Sequence, residues 1–277
     1  MYQLSDLLHL MARLRDPVNG CPWDLQQDFR SIVPHTLEEA YEVADVIERA
    51  AWDELPGELG DLLFQVVYYS QLATEAQRFG FNEVVHAITQ KLVRRHPHVF
   101  PDGDLYGAAS VPKLDEAAIK ARWEAIKAEE RAERATAPVQ LSLLDDVPGA
   151  LPALSRSTKL QKRVAQVGFD WPDALSVVDK VREELDEVLE AMSQQDPALM
   201  AEELGDLLFS VTNLARHLKV DPESALRAAN AKFETRFKQL EQLAGQTGLD
   251  LHKAHLEQLD ALWAEVKRLE KQGLGCQ

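Results

Sequence analysis

Two stretches of the chain carry carboxylates at spacings that could hold a divalent cation. The first reads Glu38-Glu39-x-x-Glu42 and then, sixteen residues beyond Glu42, Glu58-Leu-Gly-Asp61-Leu-Leu-Phe64. The second reads Glu183-Glu184-x-x-Glu187 and then Glu203-Leu-Gly-Asp206-Leu-Leu-Phe209. Every residue of the first lies 145 positions before its counterpart, so the chain contains a duplicated module. On a helix, residues three apart share a face with Cβ atoms about 5–6 Å apart, which pairs Glu39 with Glu42 and Glu58 with Asp61. A reversal near Trp52 leaves Glu42 about ten residues before it and Asp61 about nine after it; at about 1.5 Å of rise per residue, antiparallel packing brings them level. A reversal near Gln195 does the same for Glu187 and Asp206.

Each hairpin is thus expected to gather four carboxylates: Glu39, Glu42, Glu58 and Asp61 in one, Glu184, Glu187, Glu203 and Asp206 in the other. Facing carboxylates repel unless they take up protons or a cation. An all-oxygen set suits Mg²⁺, with Mn²⁺ as the alternative, rather than zinc. A single ExxE is usually a solvated helix face; its pairing with ExxD at equal spacing in both halves favours metal. Thr36-Leu-Glu-Glu39 also fits a capping box, which gives Glu39 a competing use, whereas Val181 before Glu184 cannot cap. A di-iron bundle uses two Glu-x-x-His pairs, and Glu83-x-x-His86 has Ser224 and Arg227 as its counterparts. Gly60 and Gly205 interrupt the acidic helices at about 1 kcal/mol each relative to alanine, and close helix packing is the expected reason.

Basic residues are duplicated too. Lys91 and Arg95 recur as Lys232 and Arg236, and Trp123 with Lys127 recurs as Trp263 with Lys267. Placed opposite a carboxylate-held cation, Arg offers bidentate geometry to phosphate oxygens and Lys a point charge. The chain lacks a Gly-x-x-x-x-Gly-Lys-Ser/Thr loop, so any nucleotide is bound by another route than a P-loop.

The elements that must position these residues read as helices throughout, with no convincing strand. Helices are expected over Leu4–Arg15, from Thr36, from near Pro56 to about Gln77, from an Asn82 cap to Arg95, and over about 115–134. The second half repeats the order: Leu154–Val167, Asp173 to about Ser193, a helix opened by Asp196-Pro197, one from Asp221-Pro222 to about Leu243, and a last from about Leu251 to Lys271. Cys21-Pro22-Trp23-Asp24, His96 to Gly103 and Gly168 to Pro172 read as loops. The expected division is a first domain over 1–135, a linker over 136–152 and a second domain over 153–277. With 277 residues, 45% hydrophobic and 27% charged, the chain reads as a globular protein without a membrane span. The amino terminus does not resemble a secretory signal, and a cytoplasmic location is expected. Cys21 and Cys276 have no metal-type spacing. A net charge of −16 argues against stable nucleic-acid binding, because a polyanion is met by a basic face.

The motifs together, with Arg95-His96-Pro97-His98-Val99-Phe100 and Val167-Gly168-Phe169-Asp170-Trp171, make the chain resemble the two-domain MazG family of nucleoside triphosphate pyrophosphohydrolases. The resemblance implies an all-α fold with two tandem domains, each contributing to a dimeric four-helix-bundle core. It also implies Mg²⁺-dependent hydrolysis of NTP or dNTP to the monophosphate and pyrophosphate, in broad nucleotide-pool house-cleaning. On that analogy Glu184, Glu187, Glu203 and Asp206 hold metal, with Glu183 an additional acid. Lys232, Arg236 and Lys267 contact phosphates, and Trp263, Phe169 and Trp171 lie near the nucleoside. The first domain offers Glu39, Glu42, Glu58, Asp61, Lys91, Arg95, Trp123 and Lys127. The alternatives are a narrow pyrophosphatase for dUTP, dCTP or a damaged nucleotide, and a nucleotide-binding regulator with little turnover. The second copy is favoured as the working site, because Glu39 has a competing cap and the loop at His96–Phe100 has no counterpart after Arg236.

Overall fold

A computed structural model describes residues 1–107, 115, 118, 119, 122, 123, 125, 126, 129, 130, 142–145 and 147–272. The described residues contain helices and no strand, and the chain divides into two compact units, Met1–Thr136 and Ala137–Gln277. The fold is all-α. No helix among the described residues is long and apolar enough to cross a membrane.

The first unit comprises α1 (Leu4–Leu14), a short α2 (Pro22–Gln26), α3 (Val33–Glu48), α4 (Leu55–Glu75) and α5 (Phe81–Arg95), followed by a 3₁₀ turn at Pro101–Gly103. The Cys21–Asp24 segment is thus partly helical, led by Pro22 at a first-turn position where proline has no hydrogen bond to lose. Helix α3 begins three residues before Thr36, which corrects the expected cap. The Thr36 hydroxyl donates to the Ile32 carbonyl at 3.1 Å and lies 3.0 Å from the Tyr69 hydroxyl, so Glu39 has no capping duty. Asn82 does not cap α5 either. The cap residue is Gly80, whose N–H donates to the Glu83 carboxylate at 3.0 Å, and this gives Glu83 a structural use. The positions described between 118 and 130 are helical; Lys127 and Cys276 lie outside the described residues. Met11, Ile32, Val67, Tyr68 and Leu72 form the core, with Phe64 packed against it.

The second unit comprises α6 (Ala153–Ala165), α7 (Ala174–Gln194), α8 (Pro197–His217), α9 (Pro222–Thr247) and α10 (Leu256–Lys271). The last begins at Leu256 rather than Leu251, because residues 251–253 form a turn. Asp-Pro steps do start α8 and α9. Asp196 accepts from the Ala198 N–H at 2.9 Å, and Asp221 accepts from the Ser224 N–H at 2.9 Å. Asp173 caps α7 in the same way through Ser176.

Both acidic hairpins turn on a left-handed residue at matching positions, Ala50 (φ 54°) and Gln195 (φ 55°). Neither is glycine, so each reversal carries a strain of about 1–2 kcal/mol that packing between the paired helices must offset. Gly60 and Gly205 have nothing within 4 Å of where a Cβ would stand. Packing within the unit therefore does not explain them, contrary to expectation, and the acidic faces beside them are open.

Asp196→Ala removes two orphan-donor contacts at the start of α8. It is expected to lower the stability of the second unit by about 1 kcal/mol, read as a lower urea midpoint at unchanged slope. Glu202→Ala, on the exposed side of the same helix, should change it by less than about 0.5 kcal/mol.

Candidate active site

The hairpins α3–α4 and α7–α8 do bring the paired acids together. Carboxylate oxygens of Glu39, Glu58 and Asp61 lie within 4.8 Å of one another, and so do those of Glu184, Glu187 and Glu203. Glu42 adjoins the first group through a hydrogen bond with Glu39. Asp206 shares a cavity wall with Glu184. The electrostatics follow from crowding. Desolvation, the hydrogen bond with Glu42 and the charge of Asp61 all raise the pKa of Glu39. Desolvation and then the charges of Glu42 and Asp61 raise that of Glu58. Desolvation and the hydrogen bond with Glu184 raise that of Glu187. A hard cation with oxygen ligands relieves this repulsion, so the donor chemistry of both clusters fits Mg²⁺ or Mn²⁺.

The two clusters differ in what surrounds them. Glu184 is buried, at 5% exposure, and its Oε1 lies 3.0 Å from Lys180 Nζ, which also reaches Glu183 at 2.8 Å. These carboxylates raise the Lys180 pKa and hold the ammonium charged. The sequence reading missed Lys180, although its spacing to Glu183 and Glu184 is that of helical ion pairs; His35 stands at the same place in the first unit.

Lys180, Glu184 and Asp206 border a cavity of about 650 Å³, within the 300–1,000 Å³ usual for small-ligand sites. Phe169, Trp171 and Phe209 also line it, which brings two of the expected nucleoside neighbours together with two of the acids. The loop bearing them is pinned by Asp170, which accepts from Arg216 and lies 3.2 Å from His217 Nε2. Burial opposes ionisation of Asp170, but the Arg216 and His217 contacts outweigh it and hold the pKa down.

In the first unit the counterpart of one cavity-wall residue is a core residue. The 145-residue offset sets Tyr68 against Asn213, a cavity-wall residue. Tyr68 is 1% exposed and packs in the core with Met11. Its hydroxyl donates to Asp24 at 3.0 Å, and burial pushes its pKa up to about 12. Trp23 is half exposed and meets His35 edge-on.

The basic residues gather elsewhere. Arg236 forks onto Glu270, with Nε at 3.0 Å and a terminal nitrogen at 2.8 Å from the carboxylate. Arg95 forks onto Glu130 in the same manner. These matched pairs clasp the helix of each Arg to the helix of the following Trp, and sequence reading missed both glutamates because the partners lie 34 and 35 residues apart. Arg236 and Lys267 line a separate basic hollow of about 380 Å³, and Lys232 and Lys267 are exposed. Trp263 meets Phe233 with centroids 5.4 Å apart, and Trp123 meets His96 at 6.2 Å. Lys91 is exposed.

The MazG nucleotide pyrophosphohydrolase domain matches the chain twice, over residues 27–100 and 173–240. The chain belongs to the MazG family. Over 272 residues, 98% of this chain and 99% of the relative, it is 52% identical to the nucleoside triphosphate pyrophosphohydrolase of Escherichia coli strain K12. It is 41% identical over 263 residues, 95% of each chain, to the nucleoside triphosphate pyrophosphohydrolase/pyrophosphatase MazG of Thermotoga maritima. With the nucleoside triphosphate pyrophosphohydrolase of Mycolicibacterium smegmatis it shares 36% identity over 169 residues, 60% of this chain and 47% of that one. The two MazG matches contain both acidic hairpins and both Lys–Arg pairs, while Phe169, Trp171, Trp263 and Lys267 fall outside them.

A carboxyl whose pKa is raised by folding destabilises the native state once ionised, so stability falls as pH rises from the unfolded to the folded pKa. In chelator-treated protein, Glu187→Gln is therefore expected to raise the thermal midpoint at pH 7 and to lose that advantage below the unfolded glutamate pKa of about 4.3. Adding Mg²⁺ at pH 7 should raise the midpoint of the wild type more than that of the variant.

Proposed function

We propose that the chain is a cytoplasmic Mg²⁺-dependent nucleoside triphosphate pyrophosphohydrolase of broad specificity, working in the second unit. The observation that carries this reading is the cavity that Glu184 and Asp206 border at one side and Phe169 and Trp171 at another. It is large enough for a nucleoside and opens on acids that need a cation.

In this reading Glu184, Glu187, Glu203 and Asp206 would hold Mg²⁺, which would supply positive charge beside the phosphates and make a water more acidic. Glu187 or the neighbouring Glu183 takes the proton from the attacking water. The water oxygen bonds to the α phosphorus as the bond to the α–β bridging oxygen breaks, and pyrophosphate leaves with the electron pair. Lys180, at the cavity edge, offsets charge on the phosphates as the bond breaks. Lys232, Arg236 and Lys267 assist from a second copy of the chain, since within one chain Arg236 and Lys267 line a different hollow. A homodimer also accounts for the apolar face of the hairpin. Leu185, Leu189 and Met192 on α7 are 48%, 55% and 56% exposed, and Leu204 and Leu208 on α8 are 49% and 52%. A patch of this kind marks an interaction surface.

The first unit has the acids, but among the described residues the cavity that borders them is seen in the second unit, and the role of the first is structural or regulatory. Glu187→Ala is expected to cut pyrophosphate release about 10²-fold or more, in line with the loss of a principal electrostatic element, while Glu42→Ala leaves it within about threefold. Release of single phosphate from a panel of NTPs and dNTPs, or equal losses in the two variants, would contradict the proposal.

A further inference from the structure

Phe169 and Trp171 wall the cavity from an irregular loop. They are 77% and 44% exposed, and the loop leaves α6 at Gly168 in the left-handed region (φ 83°), where other side chains would be strained. One carboxylate ties this loop to α8. Asp170 Oδ1 accepts from the Trp171 N–H at 2.9 Å and from a terminal nitrogen of Arg216, and His217 Nε2 lies 3.2 Å away. The same Arg216 nitrogen donates to Asn213 Oδ1 at 2.7 Å. That nitrogen has two hydrogens and only donates, so both are spent, and His217 Nε2 is left to donate to Asp170. Asp170, Arg216 and both aromatic residues line the cavity.

The first unit holds its matching loop by other means. An offset of 148 sets Gly20 against Gly168 and Trp23 against Trp171, which places Pro22 opposite Asp170. The 145-residue offset sets Gln71 and Leu72 against Arg216 and His217. Pro22 has no side-chain acceptor, so the ion pair has no counterpart. There Arg15 on α1 donates to the Asp24 and Gln27 carbonyls and pairs with Glu75. The helical scaffold that both units share therefore does not require the Asp170–Arg216 contact, which goes instead with the cavity. Most of both side chains is buried, and charge-assisted hydrogen bonds in such a place are strong ones.

We propose that Asp170 is a positioning residue for nucleotide binding: by tying the Trp171 backbone to Arg216, it presets Phe169 and Trp171 as the aromatic wall of the cavity. The inference rests on the pyrophosphohydrolase reading for the identity of the ligand. Without the tie, the cost of ordering the loop falls on the binding step and weakens affinity. Aromatic faces accept every base, since each base has a π-face. The loss therefore falls on purine and pyrimidine nucleotides alike, in keeping with broad specificity.

Asp170→Ala and Arg216→Ala, each with its fold checked by circular-dichroism melting, are expected to weaken ATP binding about tenfold or more, and UTP binding by a similar factor. Binding is measured calorimetrically with Ca²⁺ replacing Mg²⁺ to suppress turnover. The double variant should lose no more than the weaker-binding single one, because both act through one contact. Asp170→Asn, which keeps an acceptor without the charge, should fall between Asp170→Ala and the wild type. In nucleotide-free protein, acrylamide quenching of Trp171, taken as the difference between each protein and its Trp171→Phe counterpart, should rise in Asp170→Ala and return part-way in Asp170→Asn. Unchanged quenching or unchanged ATP affinity in the folded Asp170→Ala variant, or losses that multiply in the double variant, would overturn the inference. A wild type that binds neither triphosphate would overturn both it and the pyrophosphohydrolase reading. Binding that depends on Asp170 without pyrophosphate release would instead count against the pyrophosphohydrolase reading alone.

Discussion

Repulsion among carboxylates held close by two antiparallel helices is the constraint on which the second unit depends. Glu184, Glu187 and Glu203 bring oxygens within 4.8 Å of one another, with Lys180 as the cation bonded to the group. Such a set persists only if the hairpin is firm enough to hold it and something positive can enter. The first requirement is met by the Asp196 cap and the tight left-handed turn at Gln195, which set the register of α7 against α8. The second is met on the open face, where Gly205 leaves space that a side chain would occupy.

The same constraint operates in the first unit, yet the consequences differ because of what packs behind the acids. Tyr68 closes the space between α1 and α4 with an aromatic ring and ties its hydroxyl to Asp24. At the matching position Asn213 leaves a cavity between α6 and α8, and polar residues such as Gln161 and Thr212 stand where the first unit has an apolar core. Duplication has therefore preserved the acid clusters in both halves, while among the described residues the cavity that borders them is seen in the second. The Arg95–Glu130 and Arg236–Glu270 clasps have also been preserved. Each half-buried fork of guanidinium and carboxylate ties the helix of the Arg to the helix that carries Trp123 or Trp263.

Local chemistry was legible in the sequence. Three residues on one helical face, or an Asp before a Pro, are decided within a turn, so the acid pairs and the starts of α8 and α9 follow from the residues themselves. Thr36 misled because the entry into α3 is set by Pro34 and by a contact with Tyr69, 33 residues away. The favoured status of the second copy rested partly on a capping role for Glu39 that the fold does not give it; the cavity bordering Glu184 and Asp206 supplies a different reason. The tie from Asp170 was invisible for the same kind of cause, since its partner Arg216 is 46 residues distant and no periodic pattern marks an aspartate that holds a loop.

On the proposed reading both acidic hairpins gather carboxylates suited to a cation, and the second alone takes a nucleotide. The number of nucleotides bound per chain tests it most directly, measured by equilibrium dialysis with a slowly hydrolysed triphosphate and a divalent cation. One nucleotide per chain is predicted, lost in Glu184→Gln and retained in Glu39→Gln. Two nucleotides per chain of similar affinity, or one that depends on Glu39 and not on Glu184, would contradict it.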